Sequence, residues 1–201
     1  MPAARESLLD AADTALARRP WSAVRMVDVA AAAGVSRQTL YNEFGSKDGL
    51  ARALVQRAAD GYLAGVERAL SAPAEPRDRL TATVEWTAAA ARENALVRAM
   101  LTGCWSERLP TPPFSSAQST STVPAQRRAD GPLPTPRDFL RIVRDRAVTA
   151  LTGPGVTPAE SAGLARSCEL VVRLALSCVA APPGEGEMAE LVRAVAPWQT
   201  T

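Results

Sequence analysis

Arg37, Gln38 and Asn42 are side chains of the types that pair bidentately with guanine or adenine edges in the major groove of DNA. They fall on one short predicted helix, whose other face carries Leu40 and Phe44 one turn apart. The two apolar side chains would anchor the helix on a core while the polar ones face outward. This pattern favours a helix that is presented to DNA.

Such a helix needs neighbouring elements that fix its start and its orientation. Residues 27–33 are a run of helix formers, and Gly34 follows them, where a chain takes a positive φ after a helix. Ser36 is a good N-cap for the next helix, because its hydroxyl can accept from an otherwise unpaired N–H. Residues 25–44 therefore predict a helix-turn-helix whose second helix reads DNA. Any small helical hairpin is the competing interpretation, but the turn, the cap and the two faces all agree.

The overall charge gives this interpretation no independent support. The chain has 201 residues and a net charge of +2, and the acidic and basic residues of its N-terminal quarter balance. A chain of this length can form one or two domains with a sizeable core. Any basic surface must be local, and it would lie around these residues: Arg25, Arg37, Lys47, Arg52 and Arg57.

The composition argues against an enzyme. There is no histidine, and Cys104, Cys168 and Cys178 lack the CxxC spacing of metal or redox sites. No Ser-His-Asp or Cys-His set and no phosphate-binding glycine loop is recognisable, so we expect no catalytic residue, metal or cofactor. With no signal peptide and no apolar run of about 18 residues, we expect a cytoplasmic protein that has free thiols and no membrane partner.

The remainder of the chain predicts helices. Apolar residues recur at helical spacing, and nothing shows the alternation of a strand. Thr135-Pro136 and Thr157-Pro158 are helix starts, each with threonine as N-cap and proline at the first helical position. A stretch rich in proline, serine and threonine at 106–136 predicts an irregular loop. The expected fold class is therefore all-α.

The motif resembles the signature of the tetracycline-repressor (TetR) family of one-component regulators, over about residues 8–54. The similarity rests on the following residues: Leu8, Leu9, Asp10, Ala11, Ala12, Val29, Ala30, Gly34, Val35, Ser36, Thr39, Leu40, Tyr41, Phe44 and Lys47. The resemblance implies an N-terminal three-helix DNA-binding domain at 1–46. It also implies a C-terminal helical bundle for ligand binding and dimerisation at 47–201.

The same resemblance implies how the protein would act. A homodimer would place its two reading helices in successive major grooves of a pseudo-palindromic operator, and a small effector in the C-terminal domain would change their spacing. The implied DNA-binding residues are Arg25, Ser36, Arg37, Gln38, Thr39, Tyr41, Asn42 and Lys47. Arg37, Gln38 and Asn42 would read bases, and Thr39, Tyr41 and Lys47 would hold phosphates. The family usually has serine or threonine at the position of Arg25, so the usual cap of the first motif helix is missing.

Two further surfaces are expected in the C-terminal bundle. The apolar faces of helices at 139–151 and 164–179 predict a dimer interface, with packing inside one chain as the alternative. The dimer candidates are Val143, Leu164, Val171, Val172, Ala175, Leu176 and Val179. The effector-pocket candidates, for which core packing is the alternative, are Trp86, Met100, Cys104, Trp105 and Phe139. Because there is no histidine and few charges face inward, we expect an apolar or weakly polar effector.

The predicted function is a repressor that a ligand releases from its operator. Two alternatives stay open. One is a transcriptional activator of the same fold, and the other is a helical protein-interaction module that does not bind DNA. The exposed polar face at 37–42 argues against the interaction module.

Overall fold

The computed structural model describes residues 2–110, 134–153, 157–184 and 186–195. Within these ranges the chain forms helices and no strand, as the sequence predicts. The helices are α1 (Pro2–Arg18), α2 (Met26–Ala32), α3 (Arg37–Phe44), α4 (Lys47–Leu70), α5 (Pro76–Glu93), α6 (Ala95–Thr102), α7 (Pro136–Leu151), α8 (Pro158–Ala180) and α9 (Glu187–Val195). Among the helices described, none is both long and apolar enough to cross a membrane. Most of the predicted irregular loop at 106–136 lies outside the described residues.

The two predicted threonine caps of the C-terminal helices are present. Thr135 accepts from the Asp138 amide, and the Asp138 carboxylate accepts from the Thr135 backbone, which completes a capping box at the start of α7. Thr157 and Glu160 make the same reciprocal pair at the start of α8. In both boxes the hydrogen bond from the threonine hydroxyl is the main cause that lowers the pKa of the carboxyl.

The described residues group into two compact units, and the division falls between 58 and 59, inside α4. The N-terminal unit contains residues 2–58 together with 105–110. Its core is built from large side chains of α1 to α4, and the main buried ones are Leu8, Leu9, Val29, Leu40, Phe44, Leu50, Leu54 and Val55. The first turns of α4 pack with this unit, so it extends past residue 46, and the functional boundary between 46 and 47 stays a prediction.

Hydrogen bonds hold α1 and residues 105–110 in the N-terminal unit. Arg57 on α4 donates to the Asp10 carboxylate at 2.6 Å and to the Leu9 carbonyl at 3.1 Å. Trp21 begins a short 3-10 turn, is 8% exposed, and donates its amide to the Arg108 carbonyl at 2.8 Å. These bonds fix the frame on which α2 and α3 rest.

The C-terminal unit contains the described residues of 59–104 and 134–195. In it α5 and α7 each pack against α8, α6 contacts all three of these helices, and α9 packs against α5 and α8. Phe139 lies in this core at 1% exposure, and its ring meets the Tyr62 ring edge-on at a centroid distance of 6.0 Å. Gly65 lies directly against the Trp86 indole, where a side chain on α4 would collide with the ring.

Candidate nucleic-acid interface

The turn between α2 and α3 is closed by backbone bonds and one glycine. Gly34 has a φ of 68°, a conformation that side-chain-bearing residues rarely adopt. The Val35 amide donates to the Ala30 carbonyl at 3.0 Å and so ends α2. Ser36 then caps α3, because its hydroxyl oxygen accepts from the Thr39 amide at 3.0 Å. The predicted turn and cap are therefore both present.

The second helix of the motif has one buried face and one exposed face. Leu40 is fully buried and Phe44 is 8% exposed, so both anchor α3 on the core of the unit. Four polar side chains occupy the opposite face, and all are exposed: Arg37, Gln38, Tyr41 and Asn42. Tyr41 is 48% exposed, whereas the other aromatic side chains among the described residues are buried or half-buried.

The end of α3 is clamped by α1. The guanidinium of Arg5 lies 4.7 Å from the centroid of the Phe44 ring and donates to the Glu43 carbonyl at 3.3 Å. Gly45 then ends the helix with a φ of 70°, and its amide donates to the Tyr41 carbonyl. Both ends of the reading helix are thus held by contacts within the N-terminal unit.

Arg25 stands at the N-cap of α2 and makes no capping bond, as the missing serine or threonine predicts. Its guanidinium instead donates twice to the Asp28 carboxylate, both at 3.0 Å. Arg19 approaches the same carboxylate at 3.3 Å. The hydrogen bond from Arg25 is the largest cause of the lowered pKa of Asp28. Sequence reasoning singled out Arg25 but missed Asp28, for which the spacing of three residues was the available signal.

Lys47, predicted to hold a phosphate, is half-buried and already engaged. Its ammonium donates to the Ser22 carbonyl at 3.2 Å and lies 5.4 Å from the centroid of the Trp21 ring. An ammonium carries three donors, so two are not used by Ser22. Ser36 and Thr39 are likewise paired, through their hydroxyl oxygens at 2.8 Å. The DNA contacts assigned to these three residues remain predictions.

The five effector candidates do not all belong to one unit. Met100 and Phe139 are buried in the C-terminal unit, Trp86 is half-buried there, and Cys104 is exposed. Trp105 belongs to the N-terminal unit. Trp86 donates its indole N–H to the Tyr62 carbonyl at 3.0 Å. This hydrogen bond joins α5 to α4.

A buried pair of hydroxyls in the C-terminal unit was not predicted. The Tyr62 hydroxyl lies 3.2 Å from the Thr87 hydroxyl, and Thr87 also donates to the Thr83 carbonyl at 2.8 Å. Burial raises the pKa of Tyr62 to about 12. The apolar spacing along α4 suggested only that Tyr62 packs in a core, and nothing local marks its hydroxyl partner.

Most of the residues predicted for the dimer interface are buried within the single chain. Five of them are buried within the C-terminal unit, in which α8 packs against α5 and α7: Val143, Leu164, Val171, Val172 and Ala175. Leu176 and Val179 are half-buried. The apolar character of the five is explained by intrachain packing, which was the alternative interpretation. The assignment of these helices to a dimer interface stays a prediction.

Comparisons with known proteins agree with this geometry. Residues 8–54 match the family model of the bacterial regulatory proteins of the tetR family. The chain is 52% identical over 68 residues to the HTH-type transcriptional regulator AlkX of Mycobacterium tuberculosis. This alignment covers 34% of this chain and 32% of AlkX. It is 41% identical over 81 residues to the HTH-type transcriptional activator FasR of Mycolicibacterium smegmatis, covering 40% and 37% respectively. The chain thus spans about a third of the length of these relatives.

The fold extends beyond the matched segment. A solved structure from Rhodococcus sp., assigned to the TetR-family transcriptional regulators, superposes with a TM-score of 0.54 at 23% identity over 97% of each chain. The capped, outward-facing second helix of the motif has the arrangement of a helix-turn-helix. Over residues 8–54 the chain is thus similar to the transcriptional regulators of the TetR family.

Proposed function

We propose that the chain is a repressor that binds a pseudo-palindromic operator as a homodimer and is released by a small effector. The observation that carries the DNA-binding part is the exposed polar face of α3. Its four side chains are held outward because Leu40 and Phe44 fix the opposite face in the core. Phosphate contacts would set the register of the helix, and Arg37 and Gln38 would reach base edges in the major groove.

Removing side chains from this face should weaken operator binding. We expect Arg37→Ala to lower affinity for a selected operator at least fivefold, on the scale of about 1–3 kcal/mol for a bidentate base contact. Tyr41→Ala should also weaken operator binding. Gel-shift assays at fixed salt measure the affinity of each variant. Arg166→Ala, at an exposed position on α8, is the matched control and should bind as the wild type does. A wild-type protein that selects no operator would favour an interaction module that does not bind DNA, and unchanged affinity in both α3 variants would mean that α3 is not the reading surface.

Dimerisation follows from the geometry that such a reader needs. Dimeric helix-turn-helix proteins engage half-sites about 34–36 Å apart, or a multiple of that distance. Leu170 on α8 is 50% exposed, and a groove of about 780 Å³ between α7 and α8 is lined by Leu140, Leu176 and several arginines. Among the described residues the exposed large apolar side chains are Tyr41, Leu170 and Leu191, and Leu170 is the one on α8. We infer that the outer side of α7 and α8 meets its copy here.

The dimer surface can be tested by introducing a charge. Leu170→Arg should convert the dimer to a monomer in light scattering after size-exclusion chromatography, because burying an unpaired guanidinium in an interface is costly. Leu191→Arg, at an exposed leucine on α9, is the control and should leave the dimer intact. A Leu170→Arg protein that remains dimeric would place the interface elsewhere.

The effector would bind in the C-terminal unit. Among the described residues the buried polar ones are Thr83 and Thr87, and the Thr87 hydroxyl lies beside that of Tyr62. A site among such groups suits an apolar or weakly polar molecule, since a charged one would be buried without a partner. The effector can act only through different affinities for the DNA-bound and released states. Thermal-shift titrations should therefore find stabilising ligands among neutral compounds, and tight binding only to anions or metals would contradict this.

The sign of regulation is the remaining choice. FasR, one of the relatives, is named an activator. Transcription in vitro from a promoter that contains the selected operator distinguishes the two. Repression relieved by the effector supports the proposal, and stimulation by the protein alone supports the activator.

A further inference from the structure

Two of the predicted base readers on α3 are bonded to each other. The side-chain amide nitrogen of Gln38 donates to the side-chain oxygen of Asn42 at 2.8 Å, across one turn of the helix. Both side chains are exposed, so the bond lies on the surface that would face DNA. We propose that Gln38 reads an adenine in each half-site and that Asn42 is a positioning residue that holds Gln38 in place. This inference rests on the proposed DNA binding.

The chemistry of the amide group assigns the two roles. A glutamine pairs with adenine by donating one N–H to N7 and accepting from the N6 amino group. The amide nitrogen of Gln38 carries two hydrogens, so one can go to Asn42 and the other to N7. The side-chain oxygen of Gln38 stays available to accept from N6. The bond to Asn42 therefore leaves the adenine-reading edge of Gln38 complete.

The position along α3 makes Gln38 rather than Asn42 the reader. In helix-turn-helix proteins the N-terminal residues of the recognition helix contact base edges. Gln38 lies in the first turn of α3, and Asn42 lies one turn later with a side chain shorter by one methylene. A free glutamine also loses much rotamer freedom when it is ordered on a base. The bond to Asn42 removes part of that cost before DNA arrives.

The test begins with the wild-type protein and a pool of random duplexes, from which the bound sequence is selected. We expect one A·T pair in each half-site whose replacement lowers affinity about tenfold or more. Substituting 7-deazaadenine at that base, which removes the N7 acceptor, should lower affinity to a similar extent. Gln38→Ala should lose both effects. Wild-type protein that selects no sequence overturns the proposed DNA binding and this inference with it.

Two substitutions at position 42 separate positioning from direct contact. Asn42→Ala removes the acceptor and should reduce the adenine preference to about threefold or less. Asn42→Asp still accepts from Gln38, so it should keep most of the preference although its charge weakens binding to all sequences. The measurement is the affinity for the operator with the selected A·T pair divided by the affinity for the operator in which that pair is replaced. A general loss of affinity or of folding does not change this ratio.

Arg37→Ala is the control on the same helix. It should leave the preference for that adenine intact and lose discrimination at a different base pair. An adenine preference that is unchanged in Asn42→Ala overturns the inference. So does a position that depends on Gln38 but selects a base other than adenine.

Discussion

Replacing Gly65 with alanine should destabilise the protein by about 2 kcal/mol, although alanine is the better helix former by about 1 kcal/mol. A β-carbon at this position of α4 would occupy the space of the Trp86 indole. The indole would have to swing away, and it would then give up the hydrogen bond to the Tyr62 carbonyl and the stacking of Arg68 on its ring. Urea denaturation of the full chain, followed by circular dichroism, measures the change.

Gly61 offers a matched control one turn earlier on the same helix. A β-carbon there meets nothing within 4 Å, so Gly61→Ala should stabilise the protein by up to about 1 kcal/mol. In a Trp86→Ala background the collision at Gly65 is gone, and Gly65→Ala should then be neutral or stabilising. Destabilisation by both glycine substitutions alike would show that the close packing of α4 on Trp86 is not the cause.

Phe139→Ala should cost about 3–5 kcal/mol of the free energy of unfolding, the largest effect of any single substitution considered. The ring is 1% exposed on α7 and packs edge-on against Tyr62, so truncation leaves a cavity in the core of the C-terminal unit. Leu140→Ala is the neighbouring control. It removes a half-buried side chain and should cost clearly less.

The same variant tests whether Phe139 belongs to an effector pocket or to the core. A Phe139→Ala protein that unfolds as readily as the wild type, yet no longer responds to an effector, would assign the ring to the pocket. Loss of stability on the predicted scale supports the core role. Calorimetry on the ligand-free protein gives the answer before any effector is known.

The parts of the fold that the sequence predicts well are those set by neighbours in the chain. Gly34 and Ser36 could be recognised because a positive φ and an N-cap each depend on one residue type at one position. The capping boxes at Thr135 and Thr157 follow from residues three apart. Leu40 and Phe44 were assigned to the core because a helical repeat separates two faces.

The parts of the fold that could not be predicted depend on which side chains contact each other in three dimensions. Periodicity shows that Val171 faces something apolar, but a partner chain and the chain's own α5 leave the same pattern. The sequence predicts Lys47 as a phosphate ligand, and only the fold shows that the Ser22 carbonyl lies next to its ammonium. Trp105 follows Cys104 directly in the sequence, yet the two fall in different units. For Gln38 and Asn42 the helical spacing was visible, and only the structure shows the bond between them.

The three thiols differ in a way that makes the protein convenient to label. Cys168 and Cys178 are buried, and burial raises the pKa of both, that of Cys168 to about 11, so little reactive thiolate forms at neutral pH. Cys104 is on the surface after α6. A maleimide spin label should therefore attach at one site per chain without any engineering. In the proposed homodimer, pulsed electron spin resonance would measure the distance between the two labels. That distance would show how the separation of the protomers changes when operator or effector is added.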